Sequence, residues 1–69
     1  LKVLLKQEDP MLHDKLEICG LERNKLTMCY LIALELDDVE MMARAACLSP
    51  NSVKAYRKKC RDMVEALKR

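Results

Sequence analysis

Apolar residues recur along this chain at spacings of three and four, the period of helices buried on one side. Leu1 to Gln7 reads as the end of a helix that stops ahead of Pro10, since a proline pushes its predecessor out of the helical region. Pro10 or Met11 opens a second short helix, with Leu12, Leu16 and Cys19 about one turn apart and Ile18 beside them. Gly20 is placed to end it as the residue just past the cap. A third helix is predicted from about Arg23 to Leu36. Leu26, Cys29, Tyr30, Ala33 and Leu36 mark one face, and Met28, Leu31, Ile32 and Leu34 make it apolar on most sides. A helix that is apolar all round is covered by its neighbours, so this one is expected at the centre of the core.

Asp37-Asp38-Val39-Glu40 breaks the pattern. Asp37 and Glu40 have the spacing of a capping box, and Asp38 is an alternative cap. The helix opened here, about Val39 to Cys47, turns Met42, Ala43 and Ala46 inward, and its small residues permit a close helix–helix approach. Ser49-Pro50 combines a favoured N-cap with proline at the first helical position, the sharpest boundary in the chain. From there one helix continues to about Lys68, with Val53, Tyr56, Cys60, Met63, Val64 and Leu67 on one stripe.

Composition agrees with an all-α fold. There is no Trp or Phe, and there are only two Tyr and one Gly; the good helix formers dominate, and β-branched residues nowhere alternate. With 69 residues the chain suffices for one domain, which excludes a deep enclosed active site. The expected architecture is a small helical bundle in which residues 1–20 lead into a domain over residues 21–69. No apolar run approaches the roughly 20 residues that span a bilayer, so no membrane contact is expected. A start at Leu1 rather than Met predicts a segment of a longer protein, and no signal-peptide pattern opens it.

The four cysteines, Cys19, Cys29, Cys47 and Cys60, have no C-x-x-C spacing and only His13 as a further soft ligand, a poor match to a zinc site. Cys29 and Cys60 fall on apolar helix faces, where a free thiol acts as a small hydrophobe. Reduced, structural cysteines fit a cytoplasmic location, and no metal or other cofactor is implied. His13 has no nucleophile near it in sequence. Asp37, Asp38 and Glu40 sit at a helix start, where acids serve as caps and face the helix dipole. The five methionines read as core filler. There is no phosphate-binding glycine loop, no Ser-His-Asp set and no metal spacing, so neither enzymatic activity nor a small-molecule substrate is expected.

Charge is distributed unevenly. Residues 1–49 carry six bases against nine acids, and residues 50–69 carry seven bases against two acids, giving net charges of −3 and +5. A basic C-terminal helix on a mildly acidic body is the asymmetry expected of an element that meets a polyanion. On a helical wheel the apolar stripe of the last helix occupies about 100°. Opposite it lie Asn51, Lys54, Ala55, Lys58 and Arg61, flanked by Ser52, Arg57 and Lys59, and no acid occurs between Pro50 and Arg61. Lys donates to guanine O6 and N7, Asn pairs with adenine, and Ala55 leaves room for the backbone to approach base edges. Arg57, Lys59 and Arg61 suit phosphates. A short helix, a turn of three or four residues and a well-capped second helix form the arrangement that carries such a face into the major groove of double-stranded DNA.

The stretch from Leu21 to Leu67 resembles the LuxR/FixJ-type (GerE-like) helix-turn-helix domain, and most closely the version that closes large sensory regulators in Bacteroidetes. Leu21, Leu26, Met28, Cys29, Leu31 and Ile32 hold the places of the family's L-T-x-x-E-L-x-(L/V)-C-x-L-I opening. Asp38-Val39-Glu40-Met41-Met42-Ala43 corresponds to (S/T)-x-x-E-I-A, and Leu48-Ser49-Pro50-Asn51-Ser52-Val53 to I-S-x-x-(S/T)-V. Asp9-Pro10 and Asp14-Lys15-Leu16 are similar to the segment ahead of the domain in that subgroup. The resemblance implies a DNA-binding domain of a bacterial transcriptional regulator. It assigns base reading to Lys54, Ala55 and Lys58, phosphate contacts to the surroundings of Ser49, Asn51, Ser52 and Arg57, and packing to Val53, Met42 and Ala43. The chain departs from the family in three places. The glycine between the first two core helices is replaced within Glu35-Leu36-Asp37, with about one extra residue; Lys25 stands where the opening helix carries Glu; and no fourth, dimerising helix follows Arg69. A homodimer in the full-length protein stays open. So does an alternative function, a helical protein-interaction or dimerisation module that pairs through the stripe Val53, Tyr56, Cys60, Met63 and Leu67.

Overall fold

Helix-stopping residues, rather than long loops, set the architecture. The structure, a computed structural model, describes the backbone of Lys2–Lys68 and the side chains of Val3–Lys68. Leu1, expected in the first helix, and Arg69, counted in the basic segment, lie outside the described residues. Among those described the chain forms helices α1 (Lys2–Glu8), α2 (Pro10–Ile18), α3 (Arg23–Ala33), α4 (Val39–Ala46) and α5 (Pro50–Lys68), and no strand.

Asp9 alone separates α1 from α2. Its N–H donates to the Leu5 carbonyl (2.7 Å) and its carboxylate accepts from the Leu12 N–H (3.1 Å), so one residue closes one helix and caps the next. Pro10 fills the first helical position, where its missing N–H costs nothing. Gly20, at φ 69°, ends this pair of helices as expected.

The third helix ends earlier than its apolar pattern predicts, at Ala33 rather than Leu36. Glu35 takes the left-handed conformation (φ 62°), its N–H donates to Ile32 O (3.0 Å), and the Leu36 N–H reaches back to Leu31 O (2.8 Å). These two bonds make a Schellman motif with glutamate where glycine is usual. Leu36 is thereby turned out of the face assigned to it and is exposed. Of the two candidate caps for α4, Asp38 is the one used. Its carboxylate accepts from the N–H groups of Glu40 (2.9 Å) and Met41 (3.5 Å), whereas Asp37 points to α5.

A second Schellman motif closes α4 one residue short of the expected Cys47. Cys47 is left-handed (φ 57°), with Cys47 N–H on Arg44 O (3.4 Å) and Leu48 N–H on Ala43 O (3.0 Å). Ser49 then caps α5 through its hydroxyl, which accepts from the Ser52 N–H (3.2 Å), and Pro50 starts the helix. The connection between α4 and α5 is thus three residues long, Cys47, Leu48 and Ser49.

As expected, α3 is the centre; it packs against each of the other four helices. Its Met28, Cys29, Tyr30 and Leu31 are buried with Leu5, Leu12 and Leu16 from the first two helices, Met42, Ala43 and Ala46 from α4, and Val53, Cys60 and Val64 from α5. Burying one such large apolar side chain stabilises the fold by about 1.5–3 kcal/mol. The Lys15 ammonium donates to the Leu67 carbonyl (3.0 Å), tying α2 to the negative end of the α5 dipole. Several apolar side chains depart from the expected pattern. Tyr56 is 37% exposed, with the Lys25 ammonium 5.0 Å above its ring. Ile18, Cys19, Met11 and Met41 are exposed as well, so only Met28 and Met42 are buried methionines, with Met63 packed at the core edge.

Candidate nucleic-acid interface

The inner stripe of α5 decides what its other side shows. Val53, Cys60 and Val64 are buried, with Met63 and Leu67 packed beside them, so residues half a turn away face outward. Asn51, Lys54, Ala55 and Lys58 are all exposed, contiguous along the first turns of the helix, with Lys59 beside them. Lys54 and Lys58, four residues apart, lie one above the other. Ala55 keeps the surface between them low.

The serines assigned to phosphate contact already have partners. Ser49 Oγ donates to Ser52 Oγ (3.0 Å) while accepting the Ser52 N–H, so both hydroxyls belong to the cap. Ser49 is exposed and Ser52 half-buried.

The two arginines, half-buried Arg57 and exposed Arg61, are both paired to one carboxylate. Arg57 Nε donates to Asp37 Oδ1 (2.7 Å), and its Nη2 donates to Asp37 Oδ2 (2.9 Å) and to the Asp37 carbonyl (3.4 Å). Arg61 Nη2 donates to the same Oδ2. Hydrogen bonds from Arg57, and then from Arg61, hold the Asp37 carboxyl below the usual carboxylate range; the same bond raises the Arg57 guanidinium. The helix is free of acids along its own sequence from Pro50 to Arg61, but the fold brings one to it from the α3–α4 connection. The sequence carried one clue: two adjacent acids precede a helix that uses one cap.

Two further clusters lie away from this face. His13 stacks on Tyr30 (ring centroids 5.9 Å apart, planes 11° apart) between Asp14 (Nδ1 to Oδ1, 3.1 Å) and Glu17 (Nε2 to Oε1, 3.6 Å). The Tyr30 hydroxyl donates to Glu17, and burial, reinforced by that bond, pushes the phenol up. These side chains pack α2 on α3. Cys29 and Cys60 meet in the core between α3 and α5. The neighbouring Cys29, aided by Lys25 and Lys59, lowers the Cys60 thiol, while Cys60 and burial raise Cys29. Cys19 and Cys47 are exposed, and no three potential metal ligands cluster among the described residues. No helix among the described residues is long and apolar enough to cross a membrane.

Comparisons with protein-family models, with curated proteins and with solved structures return no match to this chain.

Proposed function

We propose that the chain is the DNA-binding module of a bacterial transcriptional regulator of the LuxR/FixJ type, with α4 and α5 as a helix-turn-helix and α5 reading the major groove. One observation carries this reading. Asn51, Lys54, Ala55 and Lys58 stand exposed together on the outer side of a helix whose inner side is core. In the reading, Lys54 and Lys58 donate to guanine edges across the low surface at Ala55, Asn51 lies at the groove entrance, and Lys59 meets phosphate with the Ser49–Ser52 cap beside it. The module needs no cofactor, performs no catalysis and acts in the cytoplasm. A second copy in a full-length homodimer would raise avidity.

The competing reading, a module that pairs through the Val53-to-Leu67 stripe, meets a physical difficulty. Val53, Cys60 and Val64 of that stripe are already buried against the other helices, so pairing through them requires the chain to open.

Binding to duplex DNA is expected to weaken steeply as salt rises. Lys54→Ala and Lys58→Ala should each cost about 1–3 kcal/mol against a duplex selected from a random pool, and relax its specificity at one position. Unchanged affinity in both variants would reject α5 as the reading helix.

A further inference from the structure

Asp37, from the α3–α4 connection, forms ion pairs with two cations of α5 at once. Arg57 gives the Asp37 carboxylate two hydrogen bonds and the Asp37 backbone carbonyl a third, and Arg61 shares the same Oδ2. Asp37 itself comes from the short segment between the left-handed Glu35 and the Asp38 cap. Both neighbours have fixed backbone roles, so the carboxylate is held in place by the fold rather than by the arginines alone. It reaches across 20 residues of sequence to Arg57 and 24 to Arg61.

The consequence is electrostatic. Two guanidinium groups on the flank of the outward face share one carboxylate, which leaves less cationic charge for a polyanion. A duplex phosphate approaching Arg57 or Arg61 meets the repulsion of Asp37 as well. Among the described residues Lys54 and Lys58 have no such carboxylate partner. General attraction to the DNA backbone is thereby reduced, and attraction at the base-facing lysines is not.

We propose that Asp37 is a specificity-determining positioning residue, which withholds Arg57 and Arg61 from DNA phosphate so that random duplex is bound weakly and discrimination falls to Lys54, Ala55 and Lys58. The inference rests on the DNA-binding reading above. It replaces the sequence-based expectation that Arg57 and Arg61 act as ordinary phosphate contacts. Asp37 touches no base and no phosphate in this scheme; it acts through the two arginines.

The test compares wild type with Asp37→Asn and Asp37→Glu, titrated with a random-sequence duplex and with a duplex selected by the wild-type chain, over a range of chloride concentrations. Asp37→Asn should bind the random duplex about tenfold more tightly at low salt, with a salt slope steeper by about 0.9, the increment for one further phosphate neutralised. The ratio of selected to random affinity should fall in proportion, and Asp37→Glu should restore most of it. A purely structural role would not steepen the slope. If Asp37→Asn fails to fold, Arg61→Gln in the wild-type background reads the same claim: a withheld arginine leaves the slope on random duplex nearly unchanged. Wild type that binds DNA, with Asp37→Asn unchanged or weaker on random duplex, overturns the role of Asp37 alone. So does a slope that drops by about 0.9 in Arg61→Gln. Wild type that shows no salt-dependent binding to either duplex overturns the DNA-binding reading and this inference together.

Discussion

The two ends of the molecule treat their apolar side chains differently. In α5 the stripe members Val53, Cys60 and Val64 are buried in the core, Tyr56 lies at its margin, and the outward surface is polar and cationic. In α1 and α2 the buried side chains are Leu5, Leu12 and Leu16, while Val3 (67% exposed), Met11 (69%) and Ile18 (84%) remain outside. Both ends are amphipathic in outline, but only α5 separates apolar from charged residues cleanly. A helix sorted in this way has one surface for the fold and another left to solvent. The α1–α2 pair is fixed instead by specific links: the Asp9 cap, the Lys15 bond to Leu67, and the His13–Tyr30–Glu17 contact.

The largest effect expected from this contrast comes within α2. Leu16 is fully buried and Ile18, two residues on, is the most exposed of the large apolar side chains just compared. Leu16→Ala should cost about 2–5 kcal/mol, enough to unfold much of so small a chain at room temperature. Ile18→Ala should stay within about 0.5 kcal/mol of wild type. Urea denaturation of both variants measures the gap; a gap under about 1 kcal/mol would mean that α2 is not anchored as described.

At the other end, the Ser49 hydroxyl caps the start of α5. Ser49→Ala should lower stability by about 1 kcal/mol in the same denaturation experiment. Glu35 offers an opposite sign. A non-glycine residue in the left-handed region costs roughly 1–2 kcal/mol, and glycine returns about 0.5–1 kcal/mol of that to the unfolded chain as entropy. Glu35→Gly should therefore stabilise the fold by about 0.5–1 kcal/mol. A destabilised Glu35→Gly would show that the glutamate side chain contributes more than its backbone strain removes.

The smallest effect concerns pH. The Asp37 carboxyl lies below its ordinary range in the folded chain, chiefly through the hydrogen bond from Arg57. Its contribution is complete above the ordinary carboxylate range and is lost as pH falls through the folded value. The site is part-exposed, so the amount is at most about 1 kcal/mol. Wild type should lose stability below about pH 4, and Asp37→Asn, already lower at neutral pH, should lose less over the same interval. Parallel acid limbs for the two proteins would remove Asp37 from the ion-pair account.

Local features of this fold were legible from sequence, and features formed across space were not. The Ser49-Pro50 boundary, the glycine stop at Gly20, the inward set Met42, Ala43 and Ala46, and the central place of α3 all follow from capping chemistry and periodicity. The end of α3 is not legible because nothing about glutamate announces a left-handed Glu35; the apolar period runs on through Leu36 while the backbone has already turned. Tyr56 lies on the stripe by angle, yet the wheel has no knowledge of Lys25, which sits over its ring. Of the candidate site, exposure of Asn51, Lys54, Ala55 and Lys58 was readable from the opposite stripe. The engagement of Arg57 and Arg61 by Asp37, and the pairing of Cys29 with Cys60, depend on how α3 and its following turn lie against α5. One helical wheel contains no such term.

Titration of the isotopically labelled chain with duplex DNA, followed residue by residue through amide NMR shifts, examines the outward surface of α5 directly. Shifts concentrated on Asn51 to Lys59, with Met11 and Ile18 unmoved, are the predicted result. Shifts centred on α1 and α2, or none along α5 at low salt, would contradict it.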